Sequence, residues 1–404
     1  MSKLCFILGT RPEIIKLYSC IKTAQKQNLD FFIIHSNQHY DARMDQIFFE
    51  QLNLPKPKYN LNIGSLSHGQ MTGKMLEKIE QILIEEKPNV VIVQGDTNTV
   101  LAGSLAASKV IGTKIVHIEA GLRSYNREMP EEINRIVTDH IADFLFAPTT
   151  SQANILKAEG INESKIFVVG NTIVDAVFGC KDLAIATNFA SQIIQKSSEN
   201  GSKNSEESTN STEDTDKNDK NSNSNPQIQN LEKSEGLENS NAKNQKYILL
   251  TCHRPSNTDN LDNFVAILEA TQEICNLESQ ICIFPLHPRL KGQLNLIQKY
   301  DKIKVIEPVG FLEMLNLEIN SQMILTDSGG IQEESCILEK KCIILRTDTE
   351  RPETVEVGGA VLLSQISKSQ ILEKYQILKN KKVNWSNPFG DGKSAIKILE
   401  IIQN

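Results

Sequence analysis

The chain has 404 residues, with 43 lysines and arginines against 50 aspartates and glutamates, and a formal net charge of −7. At roughly 100 to 200 residues per domain, this length predicts two globular domains rather than a small binding module. The acidic balance argues against a general nucleic-acid or anionic-membrane surface, so we expect a small ligand held by local basic groups.

The cysteine pattern and the apolar runs indicate whether the chain carries disulfides or crosses a membrane. Its eight cysteines lie in apolar runs without a close CxxC pair, which favours reduced core residues over a disulfide framework or a zinc site. The first strand pattern begins almost at Met1, and no apolar run approaches the roughly 20 residues that span a bilayer. We therefore expect a cytoplasmic protein without a membrane span.

Short β-branched runs alternate with longer amphipathic stretches through the first half of the chain. Residues 69–88 show the apolar spacing of a helix that ends near Pro88. This rhythm predicts repeated βα units and a parallel sheet. The predicted strands cover residues 4–9, 30–37, 90–96, 114–121, 143–149 and 166–171.

The segment GTRPE follows the first predicted strand. Gly9 ends the strand, and Pro12 suits the first turn of a helix, whose free amides attract anions. Arg11 would add a fork of hydrogen-bond donors and Lys16 a point charge. A plain βα turn with surface charges explains the segment equally well. The glycine spacing is not GxGxxG, so a nicotinamide or flavin site is not indicated.

Acidic residues recur at later strand ends and loops of the first half. Asp96 and Glu119 each follow a predicted strand, and the pair Glu131 and Glu132 lies in MPEEINR. A single acid before a helix is most often a cap. Because neighbouring strand ends of one parallel sheet converge on one crevice, the group together suits proton abstraction or stabilisation of positive charge on a sugar ring.

Residues from about 195 to 245 separate the two halves and are nearly free of large apolar side chains. Such a segment cannot offset the entropy of ordering, so we expect it to be disordered. A partner-binding tail is one interpretation. A solvated loop is favoured, since closing a longer loop costs only about 0.6 kcal/mol per doubling of its length.

Strand patterns resume after this insert and predict a second parallel sheet. Two such sheets in one chain indicate a two-domain, doubly wound α/β architecture, in which ligands bind at the carboxyl ends of the strands. The predicted strands of this half cover residues 246–254, 281–288, 303–310, 322–330 and 341–349.

Histidine and arginine residues mark two strand ends of the second half. His253 and Arg254 follow one strand, and His287 and Arg289 follow the next. A lone histidine is usually structural, but two His/Arg pairs at successive strand ends indicate a site for an anion and a proton. Arg351, in TERPE, adds a cation after a later strand.

The segment TDSGGIQEE places Ser328, Gly329 and Gly330 at the start of a predicted helix. The two glycines allow a phosphate to approach backbone amides at the positive end of that helix. Glu333 and Glu334 follow about one turn later, where a carboxylate can accept both hydroxyls of a ribose. A tight turn with a capping serine would explain the glycines but not the whole pattern.

Nine stretches together resemble the non-hydrolysing UDP-N-acetylglucosamine 2-epimerase family. In chain order they are GTRPEIIK, QGDT, HIEAGLRS, PEEINR, GN before TIVDAV, HR followed by N, TDSGGIQEE, TERPE and NPFGDGKSA. The resemblance covers essentially the whole chain except the insert. It implies a glycosyltransferase-B-like fold of two Rossmann-like domains facing a cleft. The expected units are residues 1–170, residues 171–385 and a C-terminal helix, 386–404, that returns to the first domain.

The resemblance also implies a reaction and its participants. It implies interconversion of UDP-N-acetylglucosamine and UDP-N-acetylmannosamine by elimination of UDP, a 2-acetamidoglucal intermediate and re-addition, for cell-surface polysaccharide precursors. No metal or redox cofactor is implied, and a homodimer is expected. Relatives act on other UDP-2-acetamido sugars, and the same fold supports glycosyltransferases or a catalytically silent sensor. The retained carboxylates disfavour the last two.

Residue by residue, the family motifs match positions in this chain. The catalytic positions correspond to Asp96, Glu119, Glu131 and His253. The nucleotide-sugar contacts correspond to Arg11, Lys16, Arg254, Ser328, Gly329, Gly330, Glu334 and Arg351. Many relatives carry an acid where this chain has Ser256.

A second, activating substrate pocket is implied by the same resemblance. Its residues would be Gln38, His39, Gln70 and His287, with Arg254 shared. Gly73 and Lys74 stand where an arginine is common in regulated relatives. Gln38 and His39 capping the following helix is an equally good interpretation.

Overall fold

The computed structural model describes residues 2–37, 48–195 and 245–404. Thirteen short strands form two sheets in this part of the chain. The strands are β1 Leu4–Leu8, β2 Phe31–His35, β3 Tyr59–Asn60, β4 Val90–Gln94, β5 Lys114–Ile118, β6 Phe144–Ala147, β7 Ile166–Val168, β8 Tyr247–Thr251, β9 Ile281–Pro285, β10 Ile303–Ile306, β11 Met323–Thr326, β12 Cys342–Ile344 and β13 Ala360–Leu362.

Helices connect nearly all consecutive strands, as parallel pairing requires. Residues 48–51 and 189–195 are also helical. The helices are α1 Arg11–Lys26, α2 His68–Glu86, α3 Asn98–Ala107, α4 Pro130–Ile141, α5 Thr150–Ala158, α6 Thr172–Ala186, α7 Pro255–Thr258, α8 Leu261–Leu277, α9 Leu294–Ile297, α10 Phe311–Asn320, α11 Gly329–Ile337, α12 Pro352–Glu356, α13 Lys368–Lys379 and α14 Ser394–Gln403.

The two sheets are parallel and doubly wound. The first has the strand order β3-β2-β1-β4-β5-β6-β7 and the second β10-β9-β8-β11-β12-β13. The central strands β1, β4, β8 and β9 are buried along their whole length, which explains their continuous apolar runs. The predicted fold class and all eleven predicted strands are confirmed. Two strands were missed, β3 and β13, each of three residues or fewer.

The last helix, α14, packs against the first half of the chain. Ala395, Ile398, Leu399 and Ile402 are buried in one cluster with residues of α1 and α6. The Asp175 carboxylate in α6 accepts hydrogen bonds from the amides of Ser394 and Ala395, at 3.2 and 2.9 Å. The Asp175 side chain therefore satisfies amides at the start of this helix.

The structure bears on the predictions about the cysteines, membrane-spanning helices and the polar insert. All eight cysteines are free thiols and buried, as expected. No helix within residues 2–37, 48–195 and 245–404 is long and apolar enough to cross a membrane. The insert predicted at residues 195–245 lies outside the described residues except at its two ends.

Candidate active site

The opening motif satisfies its own backbone amides. Glu13, buried in the first turn of α1, accepts hydrogen bonds from the amides of Gly9 and Thr10 at 2.6 and 2.8 Å. A third hydrogen bond comes from the Thr97 hydroxyl, at 2.5 Å. Burial outweighs these bonds and raises the pKa of Glu13 to about 7. The amides of Gly9 and Thr10 are therefore satisfied by the protein's own carboxyl group and are not free for an anionic ligand.

Arg11 links the two halves of the chain instead of pointing to solvent. Its Nη2 donates to the carbonyl of Val309, which follows β10, at 3.1 Å. Its guanidinium carbon lies 4.5 Å from the ring centre of Phe48, a cation–π distance. Arg11 thus reaches the second sheet from the start of α1.

A buried cluster of four charged side chains joins the carboxyl ends of the two sheets. Lys16 Nζ lies 2.6 Å from Glu119 Oε1 and 3.2 Å from Glu333 Oε2. Arg351 Nε lies 3.0 Å from Glu333 Oε1, and its Nη2 lies 3.5 Å from Glu119 Oε1. Two cations and two carboxylates alternate, so each charge faces an opposite one. We call these four residues the interdomain charge cluster.

The cluster affects the titration of both cations. Burial alone would lower the pKa of Lys16, but Glu119 and Glu333 raise it above the ordinary value. The pKa of Arg351 is also raised, for burial is again outweighed by Glu333, Glu119 and Glu350. Both side chains therefore remain cations.

Glu119 is held in an uncommon backbone conformation. Its φ is +71°, in the left-handed region that non-glycine residues rarely adopt. It directly follows β5, and the Gln94 side-chain amide donates to its Oε2. Such backbone strain clusters at functional sites.

The remaining predicted carboxylates have contrasting environments. Asp96 Oδ2 accepts a hydrogen bond from Arg135 Nη2 at 2.5 Å. Glu132 accepts bonds from Ser124, Tyr125 and Arg135, which makes it a structural clamp on the preceding loop. Glu131 is half-buried and has no hydrogen-bond or ion-pair partner among the described residues. Of the neighbouring pair, Glu131 is the carboxylate available to a ligand.

Arg123, which follows Glu119 in HIEAGLR, has a structural role. Its Nη2 lies 2.8 Å from Asp139 Oδ2 and 2.6 Å from Glu159 Oε2. Asp139 also contacts His117 Nδ1 at 2.6 Å. Burial would raise the pKa of Asp139, but His117 and Arg123 together lower it. These contacts fix the loop after β5, which carries Glu119.

His253 and Arg254 are both anchored by Asp327. His253 Nδ1 lies 3.1 Å from Asp327 Oδ1, and the amides of both residues donate to the same carboxylate at 2.9–3.1 Å. Burial opposes ionisation of Asp327, but the His253 and Arg254 hydrogen bonds bring its pKa down to about 2. The His253 side chain is 39% exposed, so the anchored ring remains accessible to a ligand.

The helix α11 begins at the predicted phosphate-binding segment. Ser328 is its N-cap, and Ser328 Oγ accepts from the amide of Ile331 at 3.4 Å. A Cβ added at Gly329 would lie 2.8 Å from Arg351 Nη1, whereas one added at Gly330 would meet protein atoms no closer than 3.8 Å. The missing side chain at Gly329 therefore makes room for the Arg351 guanidinium. The missing side chain at Gly330 leaves open space beside the backbone amides. Glu334 is buried one turn later.

The residues of the predicted second pocket are only partly within the described chain. Gln38 and His39 lie outside the described residues. Gln70 is exposed at the start of α2 and accepts a hydrogen bond from Ser67 Oγ at 3.1 Å. The His287 ring lies 5.4 Å from that of His253, so His287 is close to the predicted catalytic histidine. This second pocket remains a prediction.

A cavity of about 760 Å³ opens between the two sheets, within the size range of small-molecule sites. The loop after β5 lines one wall with Ser124 and Tyr125, and Arg254 and Ser256 line the other. Glu350 also lines it and lies 3.5 Å from Arg351 Nη1, so the interdomain charge cluster borders the cavity. Within the described part of the chain, no group of three or more His, Cys, Asp or Glu side chains is arranged to hold a metal ion.

Three residues of this region were not predicted. Arg135 lies one helical turn after Glu131, a spacing that could have signalled a shared face. Asp327 precedes Ser328 in the segment that was interpreted as a helix start. Gln94 ends β4, and its side-chain amide contacts Glu119, which follows the neighbouring strand β5. The spacing alone did not separate Glu333 from Glu334, and the resemblance assigned the nucleotide-sugar contact to Glu334. The structure places Glu333 in the interdomain charge cluster and Glu334 beside Gly330.

Comparisons with known proteins agree with this geometry. The family profile described as UDP-N-acetylglucosamine 2-epimerase matches residues 22–208 and 214–403. A UDP-N-acetylglucosamine 2-epimerase of Methanocaldococcus jannaschii is 50% identical, over 99% of this chain and 98% of that protein. A UDP-2,3-diacetamido-2,3-dideoxy-D-glucuronate 2-epimerase of Pseudomonas aeruginosa is 37% identical, over 99% of each chain.

Solved structures show the same similarity. The M. jannaschii UDP-GlcNAc 2-epimerase in complex with UDP-GlcNAc and UDP has a TM-score of 0.80 and 48% identity, with 99% of each chain covered. A glycosyltransferase from Rickettsia africae matches at a TM-score of 0.54 and 13% identity, covering 100% of this chain and 98% of the other. That more distant likeness supports the glycosyltransferase-B-like fold and nothing further.

Proposed function

The chain belongs to the UDP-N-acetylglucosamine 2-epimerase family. From that premise, we propose that it interconverts UDP-N-acetylglucosamine and UDP-N-acetylmannosamine without net hydrolysis. The observation that best supports this is the interdomain charge cluster, which brings Lys16 and Glu119 from the first half against Glu333 and Arg351 from the second. Cations for a diphosphate and carboxylates for a sugar then lie at one place.

The chemical difficulty is that the C2 proton of the sugar is not adjacent to a carbonyl group. Direct deprotonation would be very slow. In the proposed route, the C2–H bond breaks and its electron pair forms the C1–C2 double bond of 2-acetamidoglucal. The C1–O bond breaks in the same elimination, and its electron pair leaves on UDP. In the re-addition, a UDP oxygen bonds to C1, and the electron pair of the double bond takes a proton from an acidic side chain on the opposite face of C2.

We assign the removal of the C2 proton of UDP-N-acetylglucosamine to Glu131. A general base needs a free lone pair, and Glu131 is half-buried without a partner among the described residues. Asp96 is paired with Arg135 but has 31% of its side chain exposed, against 6% for Glu119. We therefore assign proton transfer on the opposite face of C2 to Asp96. We assign electrostatic stabilisation of the cationic sugar ring to Glu119.

The cations would act on the leaving group. Arg351 contacts Glu119 and Glu333 in this structure, and a bound diphosphate would compete for its guanidinium. Lys16 and Arg254 add positive charge beside the cleft, and the amides at the start of α11 would donate hydrogen bonds to phosphate oxygens. Positive charge fixed where negative charge develops favours the departure of UDP.

NMR of purified enzyme with UDP-N-acetylglucosamine tests the activity. We expect the anomeric signals of UDP-N-acetylmannosamine to grow to the same equilibrium from either sugar. Glu131→Gln should abolish this growth, whereas Glu128→Gln, which changes an exposed acid in the loop just before α4, should retain it. Free N-acetylmannosamine as the main product would refute the non-hydrolysing assignment, and sugar transfer to an added acceptor would indicate a glycosyltransferase.

The exact substrate can be examined in the same assay. The Pseudomonas aeruginosa relative motivates a parallel incubation with UDP-2,3-diacetamido-2,3-dideoxyglucuronate. Conversion of that sugar but not of UDP-N-acetylglucosamine would make this chain a 2-epimerase of a different UDP-2-acetamido sugar. The supply of polysaccharide precursors, a homodimeric assembly and a cytoplasmic location remain predictions from the sequence.

A further inference from the structure

A second buried carboxyl group lies behind Glu334. Glu318, in α10, is completely buried, and neither of its carboxyl oxygens meets a hydrogen-bond donor among the described residues. It lies within hydrogen-bond reach of Glu334 in α11. Two carboxyl groups can hydrogen-bond only when one carries a proton, because an ionised carboxylate is an acceptor alone. The pair therefore shares at least one proton.

The surroundings of the pair decide where that proton resides. Glu334 faces Glu333 and Lys16, and the Lys16 charge favours its ionised form. Glu318 has Tyr247 and Cys342 near it, but the Tyr247 hydroxyl donates to the Leu317 carbonyl at 2.6 Å instead. Neither carboxyl oxygen of Glu318 has a cationic partner among the described residues. Burial raises its pKa well above the ordinary value, and burial raises the pKa of Glu334 to about 7.

We propose that Glu318 is a positioning residue for nucleotide recognition, whose protonated carboxyl donates to Glu334 and holds that carboxylate toward the ribose. This rests on the proposed function, since Glu334 is the expected ribose contact. Glu334 Oε1 lies 3.8 Å from the point where a Cβ at Gly330 would be, and so does Ser328 Oγ. Glu334 therefore already faces the open space at the start of α11.

This arrangement makes the ribose contact depend on pH. Glu334 accepts from ribose hydroxyls when ionised, so its contribution to UDP binding should decline as pH falls through about 7. UDP itself gains a proton on its terminal phosphate near pH 6. The ratio of the Kd of 2′-deoxy-UDP to that of UDP cancels this effect, because both ligands carry the same diphosphate.

Calorimetric titration with the two nucleotides provides the test. For wild type, we expect a preference for UDP over 2′-deoxy-UDP that is larger at pH 8 than at pH 6. Glu318→Leu should reduce the preference at pH 7.5 by about tenfold, the effect of losing a hydrogen bond to a charged group. Glu318→Gln keeps a donor and should retain the preference within about twofold. If Glu318→Leu weakened the binding of UDP and of 2′-deoxy-UDP equally, Glu318 would act only through packing and the proposal would be overturned.

Infrared spectroscopy tests the same proposal without relying on a well-folded leucine variant. At pH 8.5, wild type should show the carbonyl band of a protonated carboxyl group, and Glu318→Gln should lack it. An identical band in both proteins would overturn the proposal. Wild type that binds UDP without preference over 2′-deoxy-UDP would also overturn it while leaving the proposed epimerase function standing. Wild type that binds no UDP at all would instead refute the proposed function.

Discussion

Replacement of Lys16 by methionine tests the interdomain charge cluster. Methionine retains most of the side-chain volume but removes the charge that lies 2.6 Å from Glu119 and 3.2 Å from Glu333. Removing one partner of a buried ion pair typically costs about 3–5 kcal/mol, because an uncompensated buried charge remains. Arg351 still contacts both carboxylates, so we expect about 3 kcal/mol.

This loss is large enough for calorimetry to resolve. Unfolding a chain of this length carries an entropy of about 0.8 kcal/mol per kelvin, so 3 kcal/mol corresponds to a Tm lowered by about 4 °C. Lys26→Met is a matched control, since Lys26 is exposed near the end of the same helix. A surface change of that kind should shift the free energy of unfolding by less than about 0.5 kcal/mol.

The pH dependence identifies the cause of the loss. Burial is outweighed by Glu119 and Glu333, so the pKa of Lys16 is raised in the folded protein. The stability that this charge supplies is therefore fully present at neutral pH and is lost as pH rises through the raised pKa, so the deficit of Lys16→Met should narrow only at strongly alkaline pH. Equal Tm values for Lys16→Met and Lys26→Met at pH 7, or a deficit that persists unchanged at strongly alkaline pH, would contradict the charge-cluster interpretation.

Three further predictions address catalysis, binding and the remaining sequence features. Gly330→Val should weaken UDP binding by about tenfold in calorimetry without destabilising the fold, because an added Cβ meets protein atoms only at 3.8 Å; unchanged affinity would refute the phosphate site. Deleting residues 197–243 should leave turnover and Tm nearly unchanged, and a folded but inactive deletion protein would make the insert functional. If substrate activation operates, UDP-N-acetylmannosamine alone should react with a lag that a trace of UDP-N-acetylglucosamine relieves. Gln70→Ala should abolish that relief, whereas immediate full-rate conversion by wild type would exclude obligatory activation.

Much of the fold could be predicted from the sequence because the strands are buried on both faces. Continuous apolar runs such as Leu4–Leu8 and Val90–Gln94 are typical of parallel strands and are easily delimited. Strands Tyr59–Asn60 and Ala360–Leu362 are too short to show a period, and each lies at an edge of its sheet. In the last helix, the apolar spacing alone does not separate Ile396, which is 43% exposed, from Ile398, which is buried.

The candidate site was predictable in its residue types but not in its pairings. Neighbouring strand ends converge, so the placement of Asp96 and Glu119 at one edge of the first sheet follows from topology. Whether Lys16 meets Glu333 or solvent depends on how the two sheets face each other, which local sequence does not encode. Glu318 gave no signal, because an acid in a helix is ordinarily a surface residue, whereas this one is completely buried.

Exchange of the C2 proton with solvent tests the proposed elimination most directly. Enzyme and UDP-N-acetylglucosamine would be incubated in deuterated water and followed by NMR and mass spectrometry. We predict UDP-N-acetylmannosamine with deuterium at C2, and deuterium at C2 of recovered UDP-N-acetylglucosamine at equilibrium, because both directions pass through an intermediate that has lost this proton. UDP-N-acetylmannosamine that forms without solvent deuterium at C2 would contradict the mechanism.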